Sequence, residues 1–169
     1  MCSTNKPTTG GIMRTNTESS AQTAHAQAMP AKPPIMEWPL GELPRIGAEW
    51  PGQGGRFAGI VRGQDGAPDY LLILGPEYDG ELPWQQAMDW AVALEIDGHK
   101  DFSLPTRAEQ AVLFGNMRNQ FQRDGYWSCE QHAESAGYAW MQGFNYGSQI
   151  NHLKGNEWRA RAVRRLIIQ

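Results

Sequence analysis

At 169 residues the chain is long enough for one domain with a real core. A net charge of -3 at pH 7 lacks the positive excess that nucleic-acid binders carry. Its two cysteines, Cys2 and Cys129, make neither a disulfide framework nor a zinc pattern. No apolar run is long enough to span a bilayer, so no membrane insertion is expected. The stretch Met1–Lys6 lacks the apolar core of a secretory signal. The protein is therefore expected to stay in the cell or to leave by assembly into something larger, such as a phage particle.

No Trp, Tyr or Phe precedes Trp38, and the early residues are mostly Ser, Thr, Asn, Gln, Ala and Pro. Such a segment cannot bury enough apolar area to offset its ordering entropy. Residues 1–36 read as a disordered tail or tether, which a partner subunit could order, and residues 37–169 as the folded domain. From Trp38 to Gly55 the chain is rich in Pro and Gly, an irregular lead-in anchored by Trp38 and Trp50. Arg56–Val61 and Tyr70–Leu74 read as strands, with turn chemistry around Asp65-Gly66 between them, hence a hairpin.

Pro83 suits the first turn of a helix on which Trp84, Ala87, Met88, Ala91 and Leu94 share one face, with its end near Asp97-Gly98. Next comes Asp101-Phe102-Ser103-Leu104-Pro105-Thr106. Pro105 holds Leu104 extended, and Thr106 with Glu109 has capping-box spacing, so a second helix starts at Arg107. In that helix Ala108, Ala111, Val112 and Gly115 make a face of small residues suited to close packing. Beyond it Tyr126–Cys129 and Tyr138–Phe144 read as strands, with turns at Asn145–Ser148 and Lys154–Asn156. The closing stretch Arg159–Leu166 alternates basic and apolar residues, as a half-solvated strand does. The order of hairpin, two helices and antiparallel strands is α+β.

These landmarks resemble the Lcl C-terminal-domain family. Its recurrent features are a Trp-rich helix, an LPT corner after Gly-Asp-Trp-Arg, a YWSS stretch and a closing R-C-V-R. Here they correspond to Trp84 to Trp90, Asp101 with Leu104-Pro105-Thr106, Tyr126-Trp127-Ser128-Cys129 and Arg161-Ala162-Val163-Arg164. The likeness runs from about Leu82 to Arg165. Phe102-Ser103 replaces Trp-Arg, Cys129 replaces the second Ser, and Ala162 replaces Cys. The resemblance implies a C-type-lectin-like fold. Members occur in bacterial surface proteins, phage proteins and targets of diversity-generating retroelements. It implies a ligand-binding module with loops on a rigid scaffold.

Catalytic chemistry finds little support in the residues. His25, His99, His132 and His152 have no partner at ligand spacing and read as exposed loop histidines, so no metal is expected. The sugar-binding triplets of calcium lectins, Glu-Pro-Asn, Gln-Pro-Asp and Trp-Asn-Asp, do not occur. Cys129 has no second thiol in the domain and reads as a small buried residue. Gly52-Gln53-Gly54-Gly55 lacks the Lys-Ser/Thr of a phosphate loop, and no cofactor is expected. Arg159, Arg161, Arg164 and Arg165 read as partners of carboxylates inside the fold or at a subunit contact, rather than as a nucleic-acid grip.

The polar and aromatic surface from Glu130 to Trp158 is the candidate binding face. Its candidate ligand-binding residues are Gln131, His132, Trp140, Gln142, Asn145, Tyr146, Ser148, Asn151, His152, Asn156 and Trp158. Rigid aromatics supply contact area and small polar residues supply hydrogen bonds, although alternation assigns part of these aromatics to packing. Asn145, Tyr146, Ser148, Ile150, Asn151, His152 and Asn156 also belong to the residue set that adenine mutation of Asn codons produces. Asn145–Asn156 is therefore expected to be a variable, ligand-reading segment. The functional expectation is a non-catalytic module on a virion or cell surface that recognises a receptor protein or glycan. Its tail is expected to meet other virion subunits. The alternative is a cytoplasmic, phage-encoded protein that binds and regulates a host protein.

Overall fold

A computed structural model describes residues 43–168. The tail expected over residues 1–36, the anchor Trp38 and His25 lie outside the described residues. Asp65 and Gly66 both take positive φ (52° and 82°). This is the mirror-image turn geometry that Gly, Asn and Asp adopt most readily. With it the chain reverses between β2 (Gly55–Val61) and β3 (Tyr70–Glu77). The hairpin joins β1 (Glu49–Trp50) and β9 (Arg161–Ile167) in an antiparallel sheet of order β1-β2-β3-β9. β4 (Leu82–Pro83) pairs with β8 (Glu157–Trp158), and β5 (Gly125–Gln131), β6 (Tyr138–Gly143) and β7 (Gln149–Leu153) form a third antiparallel sheet in that order. With helices α1 (Trp84–Val92) and α2 (Arg107–Met117), the fold is α+β, as the residue patterns indicate.

Helix α1 buries the face its periodicity selects, and α2 buries Leu113 and Met117. Trp84, Ala87 and Ala91 of α1 pack with Phe102, Leu104, Trp127, Met141 and Ala162. Leu113 and Met117 of α2 pack with Ala58, Leu72, Leu74, Tyr126, Phe144 and Val163. Each such large side chain contributes about 1.5–3 kcal/mol relative to exposure. The corner before α2 has the expected geometry. Thr106 Oγ1 accepts from the Glu109 backbone N–H at 3.1 Å, and Glu109 Oε2 accepts from that of Thr106 at 2.7 Å.

The residues that carry the family resemblance prove to be mutual contacts of the framework. Trp84 Nε1 donates to the Ser128 carbonyl, and Trp127 Nε1 donates to that of Leu82, each at 2.8 Å. Cys129 N donates to the Pro105 carbonyl at 2.8 Å, and Arg164 Nε pairs with Asp101 at 2.6 Å.

Four expectations are corrected. α1 ends at Val92, well short of Asp97-Gly98. Those two residues (φ 52° and 78°) turn a tight reversal in which Ile96 and His99 exchange backbone hydrogen bonds, so the chain before them is already extended. The small residues of α2 do not pack closely: Ala108, Ala111 and Gly115 are exposed, and the buried face is Glu109, Gln110, Leu113 and Met117. Two polar residues turn inward, Glu109 fully partnered and Gln110 through its amide nitrogen alone, its Oε1 being buried without a hydrogen-bond partner among the described residues. Glu109 meets Arg165 and Tyr70, and Gln110 Nε2 donates to the Tyr126 carbonyl at 2.8 Å.

β9 is not half-solvated. It lies between β3 and a bridge to Ser103, which leaves Arg164 only 1 % exposed and compensated by Asp101. The expectation that the arginines pair with internal carboxylates holds, since Arg159 and Arg161 also reach Glu77. Finally, His99, His132 and His152 are half-buried rather than exposed, since each ring has a partner. His132 stacks on Trp140, His152 leans on Trp158, and His99 Nε2 lies 2.8 Å from the Gly52 carbonyl.

Candidate functional site

The β6–β7 turn, residues 144–148, is tied down by hydrogen bonds to its backbone from several directions. Gly147 N donates to the Gly143 carbonyl at 2.8 Å, Gly143 N to that of Ser148 at 2.9 Å, and Phe144 N to that of Asp124 at 2.8 Å. Arg118 reaches across from the end of α2 to the carbonyls of Phe144 and Asn145. Asn145 Oδ1 accepts from Tyr146 N at 2.8 Å, which closes the tip. Gly147 has φ 83°, and a Cβ there would stand 2.8 Å from the Phe114 ring, so no other residue fits this position without strain. Beneath the turn Phe144 stacks on Phe121 at 3.8 Å and meets Tyr126 edge-on at 5.2 Å. The outcome is a stiff turn that holds Tyr146, 83 % exposed, out in solvent.

Beside this turn lies a groove of about 390 Å³, lined by Arg107, Ala108, Ala111, Phe114, Gln142, Gly147 and Gln149. The small residues of α2 therefore make a floor open to solvent instead of a packing surface. One wall is a closed polar network. Arg107 Nε donates to Gln149 Oε1 at 3.2 Å, and Gln149 Nε2 donates to the Arg107 carbonyl (2.7 Å) and to Gln142 Oε1 (2.8 Å). The Arg107 guanidinium carbon sits 3.7 Å from the Trp140 ring centroid, and His132 stacks on the same indole at 5.5 Å. Glu130 Oε1 accepts from the Arg107 backbone N–H at 2.7 Å. A second cavity of about 380 Å³, between Arg56 and Asp97, contains none of the candidate residues.

Strand alternation divides the candidates. Register pairs Trp140 with Asn151 and Gln142 with Gln149 on one face of the third sheet, and Ala139 with His152 and Met141 with Ile150 on the other. His132, Trp140, Gln142, Asn145, Tyr146, Ser148 and Asn151 therefore gather at or near the groove and its turn. Gln142 is only 2 % exposed and reaches the groove as part of its wall. His152, Trp158 and Gln131 belong to a different cluster behind the sheet. There His152 and Trp158 lie 4.9 Å apart. Gln131 Oε1 accepts from Lys154 Nζ at 2.5 Å, and that ammonium lies 4.3 Å from the Trp84 ring centroid. Desolvation holds the Lys154 pKa below its ordinary value. Asn156 sits exposed in the β7–β8 turn, outside both groups.

Arg107 and Gln149 were not among the candidates, though they are central to the groove. Arg107 reads from sequence only as the first residue of a helix, and Gln149 only as one polar residue of the face from Glu130 to Trp158. Their partners are Trp140, Gln142 and each other, over separations that local spacing cannot reveal. Cys129, by contrast, is easy to place. It is a free, half-buried thiol whose burial pushes its pKa up to about 12, so it is protonated at neutral pH. Among the described residues no group of three or more His, Cys, Asp or Glu side chains is arranged to hold a metal ion. No protein-family model matches this sequence. No curated protein matches it either.

Proposed function

We propose that this chain is a non-catalytic recognition module, C-type-lectin-like and akin to the Lcl C-terminal-domain family. In this reading it is displayed on a phage particle or cell surface, where it binds a receptor protein or glycan. The observation that carries the proposal is the pinned turn. Tyr146 is the most exposed large hydrophobic of the described residues and stands on backbone fixed by at least five hydrogen bonds, beside a groove. An exposed aromatic normally costs solubility. One presented rigidly can add contact area with little loss of conformational freedom. The protonated Cys129 thiol gives no support to nucleophilic chemistry at neutral pH.

The lectin-like part of the proposal rests on the resemblance from Leu82 to Arg165, and it agrees with the two helices set among antiparallel sheets. Variation directed at the binding face would act through Asn145, Tyr146, Ser148 and Asn151. Ile150 and His152 lie on the opposite face of β7.

The test has two arms. Mass spectrometry of purified phage particles and of surface fractions is expected to find the chain there, and recovery only from cytosol would overturn the display. Labelled protein is expected to bind intact host cells. The double substitution Tyr146→Ala with Asn151→Ala is expected to abolish that binding with an unchanged thermal melt. Binding undiminished by the double substitution would move the recognition surface elsewhere.

A further inference from the structure

The groove beside Tyr146 has a one-sided hydrogen-bonding character. Gln149 has both amide hydrogens committed, since its nitrogen donates twice, and its oxygen accepts from Arg107 Nε. Gln142, almost wholly buried in the wall, spends its oxygen on Gln149, and its amide nitrogen has no protein partner among the described residues. The terminal guanidinium nitrogens of Arg107 likewise have no protein partner among the described residues. No Asp or Glu lines the groove. The nearby Glu130 binds the Arg107 backbone and makes no ion pair with its side chain among the described residues. This sets Arg107 apart from Arg159, Arg161, Arg164 and Arg165, each of which has a carboxylate. What remains open is a set of donors with a fixed positive charge above an apolar floor of Ala108, Ala111 and Phe114.

We infer that the groove binds a polypeptide carboxylate, with the apolar side chain next to it seated on the Ala108–Ala111–Phe114 floor. The inference rests on the recognition reading above and names the chemistry of its ligand. A carboxylate has only acceptors, so it complements the open N–H donors of Arg107 and Gln142 in a wall without Asp or Glu, and a guanidinium already oriented by Trp140 and Gln149 loses little freedom on forming the fork. The apolar floor favours a peptide over a sugar acid. Of the aromatics around the groove, Trp140 already carries Arg107 and His132 and is not free to stack on a pyranose face.

The test uses the full-length chain and N-acetylphenylalanine, with N-acetylphenylalaninamide and glucuronate as comparison probes. Binding is followed by NMR of the Arg107 Nε–H and the Gln142 and Gln149 side-chain amides. The acid is expected to shift all three groups. The amide is expected to bind at least roughly tenfold more weakly, since it loses a charge-assisted contact. Ala111→Leu, which fills the floor from an exposed helix position, is expected to abolish binding of the acid and keep the thermal melt.

Equal binding of acid and amide, or no binding of either, overturns the inference. Binding of glucuronate alone also overturns it and assigns the groove to sugar acids. Capture on cells that depends on Tyr146, with no probe bound in the groove, would sink this inference while leaving the recognition reading intact.

Discussion

Glu109 ties three elements of the fold together. It is 0 % exposed and serves three elements at once. It closes the capping box of α2, accepts from Tyr70 Oη of β3 at 2.8 Å, and pairs with Arg165 of β9 at 2.5 Å. A buried carboxylate is tolerable only when its charge is paired and its lone pairs are used, and both conditions are met here. Removing the charge while keeping the shape strands Arg165 in the interior. Glu109→Gln is therefore expected to lose about 3–5 kcal/mol in urea denaturation. A loss under about 1 kcal/mol would mean that water screens the pair as it does at a surface. The capping role of Glu109 was legible from its spacing to Thr106. Its ion pair was not, because Arg165 is 56 residues away.

At the scale of elements, the α2 corner and the β6–β7 turn can be tested against each other. Thr106→Ala removes only the cap and is expected to cost about 1 kcal/mol, with the turn unaffected. Gly147→Ala forces a side chain into the left-handed region and against Phe114. It is expected to cost at least about 1–2 kcal/mol and to perturb the NMR signals of residues 144–148. A thermal melt unchanged by Gly147→Ala would show that the turn is looser than its hydrogen bonds imply. The elements themselves were largely readable, since the hairpin, both helices and the β5–β6 pair follow from turn residues and periodicity. The end of α1 was misread because an Asp-Gly pair marks a helix stop and a tight reversal equally well. The inward face of α2 was misread because small residues suit close packing as readily as they suit an open groove floor.

For the molecule as a whole, the buried titratable groups set the response to alkali. Burial, then Glu109, raises the Tyr70 pKa above its ordinary 10.0. Burial, then the hydrogen bond to Glu77, does the same to Tyr126. Burial raises Cys129 from 9.0 to about 12. All three bind their protons more tightly folded than unfolded, so the unfolded chain carries fewer protons and stability falls with rising pH. The contribution is complete below the unfolded values. It is lost from about pH 9 upward for Cys129 and from about pH 10 upward for the two tyrosines. Melting temperatures are expected to decline steeply across that alkaline range, and Tyr70→Phe is expected to remove part of the slope. An identical slope in Tyr70→Phe would show that the Tyr70 phenol contributes nothing to it.

Local chemistry in the sequence was enough for the α+β class, the hairpin, the capped start of α2 and the expectation that the C-terminal arginines meet carboxylates, though not for which carboxylates they meet. Those features depend on residues within a few positions of one another, or on a charge that the interior must neutralise. The candidate face from Glu130 to Trp158 was visible from composition alone, as a run of aromatics, amides and small residues. Only the tertiary structure split it, because alternation along β7 sends Asn151 towards Trp140 and His152 behind the sheet to Trp158. Only the tertiary structure brought Arg107 over Trp140 and closed the Gln142–Gln149 wall. Arg107 lies 33 positions from Trp140 and 42 from Gln149 in the chain, and a groove between a helix and a strand edge has no signature in either segment alone.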